Sequence, residues 1–237
     1  MYKRIMLKIS GEALSGEGQM GYSPDDVNYI SRELKMLKDA GFEIVVVLGA
    51  GNFVRGKHLK ELNIHQSMAD YMGMLGTVMN AIALTETLRN LQISATALTM
   101  IDMPRILQSY RRDLALEKIK TDIIFCAGGT GRPLFTTDTN SVQLAVELDC
   151  DVYLKATKVD GLYSADPKKF KDTQFIKKAS FDEALKNGYK VMDAAAFALC
   201  SEYNLPVRIF DMRKSGNMLK AAKGENIGSI IDTEGKK

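Results

Sequence analysis

The chain has 237 residues, 46% of them apolar, with 32 Lys plus Arg against 29 Asp plus Glu and a net charge of +3. That length suits one large α/β domain or two small ones, with enough apolar material for a substantial core. The near balance of charge gives no reason to expect nucleic acid, and no apolar run approaches the ~18 residues of a membrane-spanning segment, so neither partner is expected.

Cys126, Cys150 and Cys200 form no close pair in sequence and read as buried free thiols of a reducing compartment. The first residues run straight into a strand-like segment without a signal-peptide pattern, and the expected location is cytoplasmic. The clusters Arg111-Arg112, Lys168-Lys169-Phe170-Lys171 and Lys177-Lys178 read as solvated surface.

In chain order, residues 4 to 9 read as a strand ending at Ser10-Gly11. Lys8 lies near its end. A cation there either snorkels to solvent or reaches an anion beside the Ser-Gly turn. Gly16-Glu17-Gly18-Gln19-Met20-Gly21 matches G-x-G-x-x-G, yet Tyr22 and Ser23-Pro24 separate it from the next helix. The dinucleotide reading therefore fails, and a surface loop is expected. Ser23 as N-cap, Pro24 at the first helical position and Val27, Ile30, Leu34 and Leu37 at helical spacing predict a helix that stops at Gly41.

Residues 42 to 48 read as a second, fully buried strand, which delivers the chain to the glycine loop Gly49-Ala50-Gly51-Asn52-Phe53-Val54-Arg55-Gly56. From Gly51 the sequence nearly matches a Walker A loop, but His58 stands where a hydroxyl must hold magnesium. What survives is an anion contact by glycine amides and Arg55. Residues 66 to 91 predict a long helix with Met68, Met72, Leu75, Met79 and Ile82 on one stripe, for core or subunit contact, and with Gly73 and Gly76 permitting close approach. Asp70 lies near its start, where a solvated acid favouring the helix dipole is the plain reading.

A strand over 95–100 and a helix over 111–118 lead to a buried strand at 122–126 and then to Ala127-Gly128-Gly129-Thr130-Gly131-Arg132-Pro133-Leu134-Phe135-Thr136-Thr137-Asp138. Glycine amides, threonine hydroxyls and the positive end of a following helix, read as 141–148, make a phosphate-holding loop. Pro133 pushes Arg132 into extended backbone, which aims its guanidinium outward. Asp138 puts one carboxylate among donors, there to orient a metal ion or a lysine. A strand over 152–156 precedes an Asp160-Gly161 turn that predicts a hairpin, with Tyr163 and Asp166 available to border a base and ribose. Helices near 180–187, 192–203 and 215–223 and strands at 207–210 and 229–232 complete the chain. With about eight strands, interleaved helices and no linker, residues 1–237 are expected to form a single doubly wound α/β domain.

Together, Lys8-Ile9-Ser10-Gly11, Gly49 to Gly56, Asp70-Tyr71-Met72-Gly73-Met74-Leu75, Gly129 to Asp138 and Leu154 to Gly161 resemble the bacterial uridylate kinases of the amino-acid kinase superfamily, in order and over nearly the whole chain. The resemblance implies a three-layer αβα sandwich with a mainly parallel sheet. It also implies transfer of the ATP γ-phosphoryl group to UMP, with Mg2+ held mainly by ATP phosphates and no direct protein ligand. It assigns catalysis to Lys8, Arg55 and Asp138, and ATP binding to Lys8, Ile9, Ser10, Gly11, Gly51, Arg55, Thr157, Tyr163 and Asp166. UMP binding falls to Ala50, Asp70, Thr130, Gly131, Arg132, Pro133, Leu134, Phe135, Thr136 and Thr137. Gly16, Glu17, Gly18, Gln19, Met20 and Gly21 match the region linked to GTP activation, and UTP inhibition and a homohexamer are implied. The resembling loops commonly have Gly at the position of Ala50 and Asn at that of Arg132. Lys155 is a further candidate for the transferred group.

The chemistry implied needs no general base, because a phosphate monoester with a second pKa of about 6 is mostly dianionic at neutral pH. Repulsion between phosphates is the obstacle, at roughly 4 kcal/mol per pair of unit charges 4 Å apart in an effective dielectric of 20. Relatives acting on acetylglutamate, aspartate or carbamate, and a nucleotide sensor without catalysis, are the competing readings.

Overall fold

The computed structural model describes residues 2–16, 18–54, 59, 61–165, 170, 172–189 and 191–235. Glu17, Arg55, Gly56, His58, Asp166, Lys168, Lys169 and Lys171, all named above, lie outside the described residues.

Among the described residues the main sheet has nine strands: β1 Arg4–Ile9, β2 Glu43–Leu48, β3 Ala95–Thr99, β4 Gln108–Ser109, β5 Ile123–Ala127, β6 Val152–Thr157, β9 Lys178–Ser180, β10 Val207–Asp211 and β11 Ser229–Asp232. They lie in the order β4-β3-β5-β2-β1-β6-β10-β11-β9. Every neighbouring pair is parallel except β10 with β11. A separate two-stranded ribbon joins β7 Leu162–Tyr163 to β8 Phe175–Ile176. The expected hairpin at Asp160-Gly161 is therefore corrected. The turn leads β6 out of the sheet, and β7 pairs with β8, because both sides of β6 are already occupied by β1 and β10.

The helices are α1 Pro24–Asp39, α2 Gln66–Asn90, α3 Arg112–Lys118, α4 Thr137–Glu147, α5 Phe181–Lys186, α6 Ala194–Glu202 and α7 Asn217–Ala222. Side chains alternate across a strand, and two cores result. Ile5, Leu7, Ile44, Val46, Phe125 and Leu154 pack with α1, α2 and α7. Met6, Val45, Ile124, Tyr153 and Ile209 pack with α3, α4, α5 and α6 on the other face. This is the three-layer arrangement. The three cysteines are buried and free.

Helix α1 follows its sequence signals closely: Ser23 Oγ accepts from Asp26 N at 3.4 Å, Pro24 opens the helix, and Gly41 takes φ +86° just past its end. Helix α4 begins four residues earlier than its apolar pattern predicts. Thr136 accepts from the amides of Asp138 and Thr139, so the cap sits inside the threonine run and Asp138 belongs to the first turn. On α2 most of the apolar stripe does not face the chain's own core: Met68, Met72, Leu75 and Met79 are 52, 39, 48 and 47% exposed and only Ile82 packs partly against the core, while Met74, Val78, Ala81 and Leu84 are buried. Of its two glycines only Gly76 permits a close approach. A Cβ there would stand 2.8 Å from that of Ala50, whereas Gly73 faces open space.

Candidate functional site

The sheet's chain path reverses between β1 and β6. From β1 the chain crosses to β2 by α1 on one face, and β6 is reached from β5 by α4 on the other. The crevice at the carboxyl ends of such strands is where open α/β sheets hold ligands. Lys8 follows Met6 by two residues, and Lys155 follows Tyr153 by two, so both lysines point to the α4 face. The register pairs Lys8 directly with Lys155.

Asp138, in the first turn of α4, receives both. Its Oδ1 lies 3.2 Å from the Lys8 amine and its Oδ2 accepts from Lys155 at 2.5 Å, while the Tyr153 hydroxyl donates to Oδ1 at 3.0 Å. Burial raises the Asp138 carboxyl, but the charges and hydrogen bonds of Lys8 and Lys155 outweigh it and hold the group below its ordinary range. Lys155 is held below the usual lysine range, because burial and the neighbouring Lys8 charge outweigh its bond to Asp138. Burial, then the Asp138 charge, pushes the Tyr153 phenol well up, so it remains a donor. Two ammonium groups share the Asp138 carboxylate, so the triad itself carries one positive charge in excess, with the Asp193 carboxylate also acting on Lys155. That excess suits an anion.

Two cavities lie near this triad, the second taking in Asp138 itself and the first ending at Thr137, the residue before it. One, of about 240 Å³, is lined by Ala50, Gly51, Asp70, Phe135, Thr136 and Thr137 among others. The other, of about 430 Å³, lies between α4 and α6 and is bordered by Thr136, Asp138, Gly188, Met192, Asp193 and Phe197 among others. Thr136 borders both. The first cavity gathers six of the assigned site residues, Gly51 from the ATP set and Ala50, Asp70, Phe135, Thr136 and Thr137 from the UMP set. Thr130, Gly131, Arg132, Pro133 and Leu134 belong to the same loop but not to that lining. Within the loop, Thr130 Oγ1 donates to Arg132 O and accepts from Arg132 N, and Leu134 adopts φ +74° with its amide donating to Asp70 Oδ2 at 2.8 Å. Asp70 is thus tied to the loop and to Gln66, not merely solvated.

Gly11 packs so closely on the second glycine loop that a Cβ would stand 2.5 Å from Gly49 O. This close approach explains glycine there. The Thr157 hydroxyl donates to Val159 O at 2.6 Å and accepts from its amide, so it fixes its own turn. Tyr163 donates to Asp160 at 2.7 Å and packs edge-on against Phe175.

The amino acid kinase family model matches residues 3–211. The chain belongs to the amino acid kinase family. Within that family it groups with the uridylate kinases. It is similar to the uridylate kinase of Zymomonas mobilis, 40% identical over 234 residues that cover 98% of this chain and 97% of the relative. The corresponding protein of Thermotoga petrophila is 43% identical over 229 residues, covering 96% and 98%. Among solved structures, the UMP kinase of Bacillus anthracis superposes with a TM-score of 0.94 at 32% identity, covering 98% of this chain and 96% of that one.

For an amino acid kinase chain, sequence reasoning left several site residues out. Tyr153 read as a strand residue, Gly188 and Tyr189 as a connection, and Asp193 as part of a helix over 192–203, whereas it is the residue that caps that helix. Asp193 caps α6 through Ala196 N at 2.9 Å, accepts from Thr139 Oγ1 at 2.7 Å and also accepts from the Thr136 hydroxyl. Its signal was present: an aspartate before an alanine-rich helical run is an N-cap pattern.

Proposed function

We propose that this chain transfers the γ-phosphoryl group of ATP to UMP, giving UDP and ADP, and serves pyrimidine nucleotide biosynthesis in the cytoplasm as one domain of 237 residues. The observation that carries the reading is the Lys8–Asp138–Lys155 triad, with its excess positive charge, set beside two cavities that meet at Thr136. Uridylate kinases are the relatives found, at up to 43% identity among those compared.

In this reading UMP occupies the cavity beside Asp70 and Phe135. Its phosphate meets the amino end of α4, where backbone amides and the helix dipole favour anions. ATP reaches the triad from the side of the cavity bordered by Asp193, with Ser10, Gly11, Thr157 and Tyr163 in the roles the resemblance gives them. Lys8 and Lys155 lower the charge on the group in flight, and Asp138 holds the two amines in place without taking a proton. Arg55 and Asp166 keep the roles the resemblance gives them.

Magnesium fits as part of the nucleotide. Among the described residues no three His, Cys, Asp or Glu side chains gather as a metal site, and the Asp138 carboxylate is engaged by two lysines. In this reading the ATP phosphates hold it for the most part. When bound with ATP it supplies further charge neutralisation. The exposed Met68, Met72, Leu75 and Met79 support association of copies, six by the resemblance, the match of Gly16 to Gly21 to the GTP-linked region supports activation by GTP, and inhibition by UTP rests on the resemblance alone. No helix among the described residues is long and apolar enough to cross a membrane.

The test is ADP release from Mg-ATP with UMP, CMP, dTMP, acetylglutamate and aspartate offered separately. Turnover confined largely to UMP is expected. Turnover on another acceptor overturns the assignment of the first cavity, and tight UMP binding without turnover overturns the kinase reading.

A further inference from the structure

Two asparagines outside the triad are fully buried and wholly satisfied. Asn52 follows the Gly49–Gly51 turn, and Asn80 sits in the middle of α2; both are 0% exposed. Their carboxamides pair reciprocally, Asn52 Nδ2 to Asn80 Oδ1 at 2.9 Å and Asn80 Nδ2 to Asn52 Oδ1 at 2.8 Å. Each amide has one more hydrogen to donate. Asn80 gives it to Gly49 O at 2.8 Å, and Asn52 to Gly21 O at 3.0 Å. The Gly21 amide returns a bond to Asn52 O at 2.8 Å, and Tyr22 packs edge-on against Phe53 with ring centroids 5.2 Å apart.

This pair joins three segments that are distant in sequence: the glycine-rich stretch ending at Gly21, the turn after β2, and α2. The turn is the junction of the two nucleotide halves. Ala50 and Gly51 line the acceptor cavity, while Gly49 O lies where a Cβ on Gly11 would collide. Buried amides cost several kcal/mol of lost hydration unless every donor finds a partner, and a fully satisfied network favours one geometry over its neighbours. Apolar packing alone would let the turn slide. The carboxamide pair does not.

We infer that Asn52 and Asn80 are positioning residues that set the Gly49–Gly51 turn against Gly11, and that they transmit displacement of the Gly16–Gly21 segment to that turn. The inference rests on the proposed nucleotide kinase reading for its kinetic consequences, but its geometry is independent of the acceptor. Asn80→Asp is the direct probe, because its second carboxylate oxygen would replace the amide nitrogen that faces Asn52 Oδ1 and Gly49 O, both acceptors. Asn80→Ala removes the bonds without adding charge, and Leu84→Ala on the same helix is the control for lost stability alone.

Steady-state kinetics, thermal unfolding and amide hydrogen exchange are measured on all four proteins. For folded Asn80 variants we expect kcat to fall at least tenfold or both nucleotide KM values to rise together, with faster exchange at Gly21 and Gly49. Leu84→Ala should lower the thermal midpoint while leaving the KM values near wild type. Wild-type kinetics together with unchanged exchange in a folded Asn80 variant would sink the inference. In the wild-type protein, saturating UMP should slow exchange at Gly21, and no change there counts equally against it, even if both Asn80 variants fail to fold. A wild type that binds UMP without phosphorylating it would overturn the kinase reading, and the exchange data would still decide this one.

Discussion

Lys8 and Lys155 stand opposite each other on adjacent parallel strands, on the same face of the sheet, and both amines reach the one carboxylate of Asp138. Like charges placed directly across a strand pair repel, so the arrangement persists through Asp138 and, when phosphate is bound, through the ligand. The cation close to the end of the first strand, ambiguous in sequence, thereby gains its partner.

Removing that partner should harm both stability and turnover. Asp138→Asn leaves two ammonium groups without a counter-charge. The loss in unfolding free energy is expected to be on the order of 2 kcal/mol, below the roughly 3–5 of a fully buried pair because Asp138 is 14% exposed. Turnover should drop about a hundredfold or more. Lys8→Ala should abolish turnover with the fold intact, as read by circular dichroism. An active Lys8→Ala enzyme removes Lys8 from the mechanism.

The pH dependence of stability follows from the same cluster. Asp138 is depressed below its unfolded value of about 3.9, so its contribution is fully present above that pH and disappears as pH falls through the folded value. Lys155 is also depressed, so the slope has the same sign: between its folded value and about 10.4 the unfolded chain binds more protons and stability rises with pH, although for a cation the shift is a cost that is lifted there and not a gain that is lost at low pH. Denaturant unfolding of wild type and Lys155→Met across pH 3 to about 10.4 checks both. Lys155→Met should flatten the alkaline rise, and an unchanged slope would contradict the burial effect.

Asp193 ties two helix starts together, and Asp193→Ala should show it. The α6 cap is lost, worth about 1 kcal/mol, and the Thr136 and Thr139 hydroxyls lose their acceptor. Because Thr136 borders both cavities, kcat should decline along with the midpoint of thermal unfolding. A stability loss with unaltered kcat would restrict Asp193 to a capping role.

The exposed methionine stripe of α2 gives a separate prediction. Met72→Glu with Met79→Glu should shift sedimentation of the purified protein to smaller species, since both side chains are well exposed on one chain and would be buried between copies. Sedimentation identical to wild type would place the subunit contact elsewhere.

Local rules settled much of this fold before any coordinates. Helix α1 has its cap, proline and glycine stop in the chain itself, and the glycine loops at strand ends mark the ligand edge of the sheet. Each of those signals is short-range, carried by a residue and its near neighbours in the chain. The face on which Lys8 lies, its pairing with Lys155 and the meeting of both at Asp138 depend on the register of strands nearly 150 residues apart. The same limit applies to β7, which chooses β8 because β6 has no free edge, and to the α2 stripe, whose exposure depends on which face the sheet covers. Asn52 and Asn80 are two unremarkable polar residues until folding removes water from both. Sequence thus determined the elements and the kind of chemistry at their ends, while tertiary structure alone decided which side chains share a counter-ion, because that choice is made by non-local packing and burial.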